Sequence, residues 1–207
     1  KRLAVDTDYY KTFNNPKVTL VDIKNNPIEK FSSNGLFVDQ IEYNLDAVIM
    51  ATGFDAMTGA LLNIDIRGRN NVSLQNKWEN GPKTYLGICT ENFPNMFIVS
   101  GPGSPSVLTN MLVSIEQHVN WIFDCINYLK VNNLNTIEPS LKSENEWVEH
   151  NQEVAKDHVR SSCNSWYIGA NIEGKARIFM PYVGGFPEYV KKCQEVSNNN
   201  YKGFKLS

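Results

Sequence analysis

From Leu108 to Leu129 the apolar residues fall at Leu108, Met111, Leu112, Ile115, Val119, Ile122, Ile126 and Leu129, mostly in steps of three and four. Thr109, Glu116, Asn120, Asp124 and Asn127 occupy the intervening positions. That spacing predicts an amphipathic helix of about six turns beginning near Leu108, with the apolar stripe as its buried face. A second helical pattern, roughly 144–159, is polar and charged on most sides and is expected on the surface. A third, short helix is expected over 186–196.

The rest of the chain reads with a shorter period. VTLVDI (18–23) and GLFVD (35–39), separated by Asn-Asn-Pro and Ser-Ser-Asn-Gly turn signals, predict a small antiparallel excursion. Residues 43–53, YNLDAVIMATG, form a continuous apolar run closed by Thr-Gly, the pattern of a strand buried on both faces. TYLGIC (84–89) and NMFIVS (95–100) predict two more buried strands, and 54–83 reads as loop with short elements.

Composition narrows the functional classes. The chain has 207 residues, 42% of them apolar, enough to build a packed core. With 20 basic against 22 acidic residues, no overall field favours nucleic acid or an anionic membrane. No run approaches the roughly 20 apolar residues that cross a bilayer, and no secretory signal is visible, so a cytoplasmic protein is expected. Four widely separated cysteines, Cys89, Cys125, Cys163 and Cys193, form no C-x-x-C pair and read as free thiols in a reducing compartment. The sequon at Asn71 reads as chance. The chain opens Lys1-Arg2-Leu3 without an initiator Met, as though cut from something longer.

Candidate chemistry is sparse. GPGSPSVLTN (101–110) joins the NMFIVS run to the long helix. It lacks the Lys-Ser/Thr of a triphosphate loop, and Val107 stands where G-x-G-x-x-G needs its third glycine. A helix N-terminus behind such a turn still favours negative charge, by about 0.3–1 kcal/mol. His118 and His150 have no partners at ligand spacing, so no metal site is expected. Nothing resembles a nucleophile elbow or a Cys/His pair. Trp166, in a loop-like SWYIGAN setting, is either core filler or a stacking platform. Lys1 and Arg2 by themselves read as a solvated basic start.

Three long blocks change that picture. LDAVIMATGFDAMTGALLNIDIRGR (45–69), KTYLGICTENFPNMFIVSGPGSPSVLTNMLVSIEQHV (83–119) and SCNSWYIGANIEGKARIFMPYVGG (162–185) together resemble the C-terminal part of type I Baeyer–Villiger monooxygenases. The phenylacetone and cyclohexanone monooxygenases are well-known members of that family. The resemblance implies an α/β, Rossmann-like flavoprotein with two dinucleotide-binding domains, of which this chain supplies the C-terminal part only. Residues 1–40 would end the NADP-binding domain, 41–135 would return to the FAD-binding domain, and 136–207 would be a helical and loop segment closing over the active site. Both Gly-rich nucleotide motifs of the family would lie upstream, in missing N-terminal domains that are the implied partners of this chain.

The implied activity uses FAD and NADPH to insert one oxygen atom of O2 beside a ketone carbonyl, giving an ester or lactone. Negative charge develops on oxygen in such a reaction, and a permanently charged, multi-donor guanidinium suits its stabilisation. Arg2 aligns with the family's catalytic arginine, which replaces the bland reading of the basic start. Lys1 aligns with a lysine on the NADP phosphate side and Trp166 with a tryptophan that contacts NADP. Ser106 and Val107 match a bulge beside the flavin that shapes the substrate pocket, Leu108 adjoins it, and Met111 matches a position whose backbone meets the flavin ring. On this reading Gly101 and Gly103 allow close approach to the flavin. Two alternatives stay open: another flavin-dependent, N-hydroxylating monooxygenase, or an inactive fragment without its nucleotide-binding motifs. The isolated chain is expected to be inactive.

Overall fold

The structure is a computed structural model that describes residues 5–207; Lys1 and Arg2 lie outside the described residues. The chain divides into two compact units, one running up to Gly53 and the other spanning Phe54–Ser207.

In the first unit a one-turn helix α1 (Tyr9–Thr12) precedes an antiparallel three-stranded meander of β1 (Ile28–Phe31), β2 (Gly35–Val38) and β3 (Ile41–Asn44). Asp39 and Gln40 form the two-residue turn between β2 and β3, both with positive φ (51° and 63°). That conformation matches the twist of a tight hairpin, so Val38 pairs with Ile41 and the register follows. The antiparallel excursion predicted around 35–39 is present, but residues 18–23 form no strand and the first strand starts at Ile28.

The expected buried strand over 43–53 is not formed either. Only Tyr43 and Asn44 belong to a strand, and Val48, Ile49 and Met50 are 42%, 91% and 64% exposed. A strand buried on both faces needs a hydrogen-bonded neighbour on each side. Among the described residues the run beyond Asn44 joins no strand; the Leu45 N–H donates to the Asn34 carbonyl at 2.8 Å, and the ladder ends there.

The regular structure of the second unit is mainly helical. After the single-turn helices α2 (Gly59–Leu62) and α3 (Leu74–Lys77) come α4 (Met111–Val131), β4 (Ile137–Pro139), α5 (Leu141–Ala155), α6 (Phe186–Asn198) and β5 (Phe204–Leu206). β4 and β5 pair antiparallel, Ile137 opposite Leu206. The main core gathers Leu86 and Ile88 with Trp121 and Cys125 of α4, Trp147 of α5 and Tyr189 of α6.

The long helix runs 21 residues as its periodicity predicts, started by Asn110, whose side chain accepts the Leu112 N–H. Its buried stripe, however, is Ser114, His118, Trp121, Cys125 and Leu129. The predicted apolar face is largely outside: Leu112 is 72% exposed, Val119 49% and Ile126 51%. The helix is apolar on two sides, and this chain covers one of them.

Helix α5 starts at a Ser140 cap that accepts the Ser143 N–H, and it is not the purely surface element its charge suggested. Glu144, Trp147, Asn151 and Ala155, at helical spacing, are buried. The Glu144 carboxylate is compensated by Lys77 Nζ at 2.8 Å, the Glu91 N–H at 2.7 Å and the Thr90 hydroxyl at 3.0 Å.

TYLGIC is largely buried, as predicted, whereas in NMFIVS only Ile98 is buried and Val99 is 44% exposed; neither run is a strand. Leu86, Gly87, Asn95 and Ser100 all have positive φ, which interrupts extended backbone; only an isolated bridge from Tyr85 to Cys89 forms.

Candidate functional site

The turn 101–106 is buried throughout and is held by its own chain from every element around it. The Thr84 hydroxyl donates to the Pro102 carbonyl (2.7 Å) and Trp147 Nε1 donates to the Gly103 carbonyl (3.0 Å). The Gly103 N–H donates to the Met180 carbonyl (2.7 Å) and the Tyr182 N–H to the Ser104 carbonyl (2.8 Å). Just before the turn, the Ser100 N–H donates to His118 Nδ1 at 2.8 Å.

The close approach that the glycines permit is therefore internal. A Cβ on Gly101 would sit 2.6 Å from the Gly87 carbonyl oxygen, and one on Gly103, at φ +85°, would sit 2.7 Å from the Thr84 hydroxyl. What they admit within the chain is the Gly87 carbonyl at Gly101 and the Thr84, Asn151 and Trp147 side chains at Gly103.

The turn ends on Ser106, buried and held at φ 44°, a left-handed conformation rare for a residue with a side chain. Such local strain, of order 1–3 kcal/mol, persists where the surroundings impose it, and it concentrates at functional sites. The Ser106 hydroxyl points to Met57 Sδ at 3.7 Å, and Met57 is itself at φ 71°. Residues 106–108 then form a single 3-10 turn, so α4 starts at Met111 and not at Leu108.

Val107 and Leu108 pack in one apolar cluster with Trp166, Tyr167, Ile168 and Phe179. Trp166 opens a 3-10 turn, half-buried against Tyr167 with ring centroids 4.2 Å apart. Of the sequence-predicted site residues, then, Val107, Leu108 and Trp166 come together, with Ser106 beside them. Met111 lies in the first turn of α4, 36% exposed. Three clefts of this unit, about 800, 470 and 450 Å³, are lined elsewhere, by Phe97, Ile126 and Leu134 in the first, Tyr85 and Lys192 in the second and Trp78 and Gly81 in the third.

Two features escaped the sequence. His118, read only as a poor metal ligand, is completely buried, with Nε2 2.7 Å from the Tyr189 oxygen, which donates to the Leu86 carbonyl at 2.6 Å. Burial pulls its pKa down to about 4. Residues 54–56 meet the Trp166 segment: Asn171 Nδ2 donates to the Phe54 carbonyl at 2.9 Å, and Lys175 pairs with Asp55. No spacing rule flags either set, because their partners lie dozens of residues away in sequence.

No protein-family model matches the chain. Over 207 residues it is 39% identical to a cyclohexanone 1,2-monooxygenase from an Acinetobacter species, covering 100% of this chain and 38% of that protein. A phenazine N-monooxygenase, PhzNO1 of Lysobacter antibioticus, is 37% identical over 207 residues, 100% of this chain and 38% of the relative. The crystal structure of OTEMO in complex with FAD and NADP matches with a TM-score of 0.92 at 39% identity, over 100% of this chain and 38% of that one. Along its whole length the chain matches the C-terminal portion of Baeyer–Villiger monooxygenases. Its fold is the C-terminal portion of their larger FAD- and NADP-binding architecture.

The chain spans less than two-fifths of the length of these relatives. Within that span the described residues include a strained serine, an apolar Val107–Leu108 corner, an aromatic turn and a helix N-terminus. They do not include a pyrophosphate cradle. Both sheets among the described residues are antiparallel, with none of the strand–turn–helix units that hold a dinucleotide. No helix among the described residues is long and apolar enough to cross a membrane.

Proposed function

We propose that this chain is the C-terminal part of an FAD- and NADPH-dependent Baeyer–Villiger monooxygenase that converts a ketone to an ester or lactone with O2. The observation that carries the reading is the convergence of Ser106, Val107, Leu108 and Trp166 in a unit whose whole chain matches an FAD–NADP complex at a TM-score of 0.92. Bound flavin, reduced by NADPH, supplies the activated oxygen.

The chain's own residues shape and hold. Val107 and Leu108 give the ketone an apolar wall, which suits a substrate recognised by shape and one polarised oxygen. Ser106, its hydroxyl turned to Met57, presents its backbone at the bulge on the flavin side. Met111 begins the helix whose N-terminal N–H groups face the electron-rich ring. Trp166 lies along the nicotinamide nucleotide, Lys1 pairs with its phosphate, and Arg2 offers a fixed positive charge to oxygen as negative charge builds there. Preceding residues of the same polypeptide cover the exposed stripe of α4, complete the FAD and NADP domains and supply the nucleotide cradles. Residues up to about 40 close the NADP-binding domain, 41–135 return to the FAD-binding domain, and 136–207 close over the site. Four free thiols support a cytoplasmic setting.

The phenazine N-monooxygenase relative keeps a second reading open, oxidation of a ring nitrogen, at nearly the same identity. The holoenzyme carrying this chain, given NADPH, O2 and cyclohexanone or a phenazine, discriminates the two by product mass. Lactone formation is expected. N-oxide without any lactone overturns the ketone assignment.

A further inference from the structure

The segment that follows Trp166 has little of its own to hold it. Between Gly169 and Ala176 the backbone hydrogen bonds are local and long, such as Ile172 N–H to Gly169 at 3.3 Å and Lys175 N–H to Ile172 at 3.4 Å. The segment's backbone reaches only near neighbours, as in Gly169 N–H to Trp166 and Ala170 N–H to Ser165, and among the described residues the side-chain hydrogen bonds of 169–176 that leave the segment all end on three consecutive residues. Asn171 Nδ2 donates to the Phe54 carbonyl (2.9 Å), and Lys175 Nζ donates to the Asp55 carboxylate and to the Ala56 carbonyl (3.1 Å). The Lys175 side chain is only 13% exposed, so its charge is largely withdrawn from water and depends on Asp55. The next residue, Met57, receives the Ser106 hydroxyl. One four-residue stretch thus touches both the aromatic turn and the strained serine.

We propose that Asp55 and Lys175 are positioning residues, a clamp that fixes the 169–176 segment and so holds Trp166 in place for the nicotinamide nucleotide. The clamp also sets the substrate wall and the cofactor wall in register, since Phe54–Ala56 hold one and Met57 the other. The cofactor half of this inference rests on the reading of Trp166 as an NADP contact; the clamp itself rests on the contacts alone. Charge-assisted hydrogen bonds made by a half-withdrawn ammonium are strong enough to matter, and the backbone acceptor at Ala56 adds a direction to the charge.

The test uses the holoenzyme carrying this chain and the variants Lys175→Met, Asp55→Asn and the swap Asp55→Lys with Lys175→Asp. Without cofactor, hydrogen exchange of the 169–176 amides should quicken about tenfold in both single variants and return toward the parent in the swap. Titration with NADP+ should then show binding about tenfold weaker in the single variants, while flavin reduction at saturating NADPH changes by less than about twofold. Unchanged exchange in both single variants overturns the clamp. Faster exchange with unchanged NADP+ affinity overturns its link to the cofactor and with it the Trp166 assignment. A loss of flavin reduction at saturation that matches the loss of affinity would mark general unfolding and also overturn the positioning role. Should Lys175→Met fail to fold, Asn171→Ala removes an exposed half of the same clamp and is read by the same two measurements.

Discussion

His118 makes the stability of the 54–207 unit sensitive to acid in a way that can be worked out atom by atom. The Ser100 N–H donates to Nδ1, so that nitrogen carries no proton in the folded state; the ring proton is on Nε2 and donates to the Tyr189 oxygen, whose own proton goes to the Leu86 carbonyl. Every polar atom of the imidazole is used, and it is used only in the neutral form. Protonating Nδ1 would both charge a ring that has no exposed surface and set two donors against each other. Burial accordingly holds the folded pKa at about 4 against an ordinary 6.5. The unfolded chain therefore binds a proton that the folded chain refuses between these values. Stability is fully present above pH 6.5 and is lost as the pH falls toward 4.

At about 1.4 kcal/mol per pH unit, the full loss is about 3 kcal/mol, of which about 2 kcal/mol has gone by pH 5. Against a typical domain stability of about 5–15 kcal/mol that is a large fraction. The control is His118→Gln, whose amide can still face Tyr189 but does not titrate. Urea midpoints for parent and variant are measured at pH 7.5, 6 and 5. The parent should be the more stable by about 1 kcal/mol at pH 7.5, the net value of a lost or bent hydrogen bond, and the gap should close and reverse by pH 5. A gap that stays constant over that range refutes the reasoning, because the remaining titrating groups are common to both proteins.

Four further outcomes are expected. In the holoenzyme, Arg2→Ala should leave flavin reduction by NADPH largely in place and lower ester formation by at least about a hundredfold, read by stopped-flow absorbance and product analysis; a near-normal ester yield would remove Arg2 from the catalytic role. Lys77→Met should cost about 3–5 kcal/mol in urea unfolding, because Lys77 is the cation that compensates the wholly buried Glu144, and Lys77→Met with Glu144→Gln should recover part of it. Gly103→Ala should cost more than about 1 kcal/mol by thermal unfolding, since the new methyl meets the Thr84 hydroxyl at a φ that alanine disfavours. The 207-residue chain expressed alone should retain no flavin absorbance after gel filtration, and a stoichiometrically yellow preparation would show that the cradle residues are not needed.

What the sequence revealed depended on whether the signal was local. Six turns of 3.6-residue spacing made α4 legible, because helical hydrogen bonds close within four residues, although the spacing puts its start at Leu108 and misses the Asn110 cap. The buried face was misassigned because hydrophobic spacing reports that a residue is made to be covered, not by what. Leu112, Val119 and Ile126 are suited to burial that this stretch of chain does not provide, while Ser114, His118 and Cys125, polar or ambiguous by type, face the local core. The same gap explains the strands. Run 84–89 is largely buried and 95–100 buries only Ile98, and positive φ at Leu86, Gly87, Asn95 and Ser100 breaks both into turns; of these residues Leu86 and Ser100 give no sign of such geometry in sequence. The family resemblance supplied what spacing could not, namely that Val107, Leu108 and Trp166 belong to one place. The clamp at Asp55 and Lys175 lay within quoted blocks but carried no pattern of its own.

The turn at 101–106 shows how a site can be fixed by residues that never touch a ligand. Its glycines are required because Gly87 and Thr84 press against them, and its carbonyls and N–H groups are claimed by Thr84, Trp147, Met180 and Tyr182. A segment with that many internal partners cannot relax towards a more comfortable backbone at its end. The strain therefore falls on Ser106, at φ 44°, where the chain leaves the turn for the 3-10 step before α4. In the proposed site Trp147 and Thr84 would consequently govern the position of the substrate wall as surely as Val107. Substitutions there should alter the selectivity of the site along with stability, and a variant such as Thr84→Val, which keeps the shape but deletes the donor to Pro102, separates the two effects.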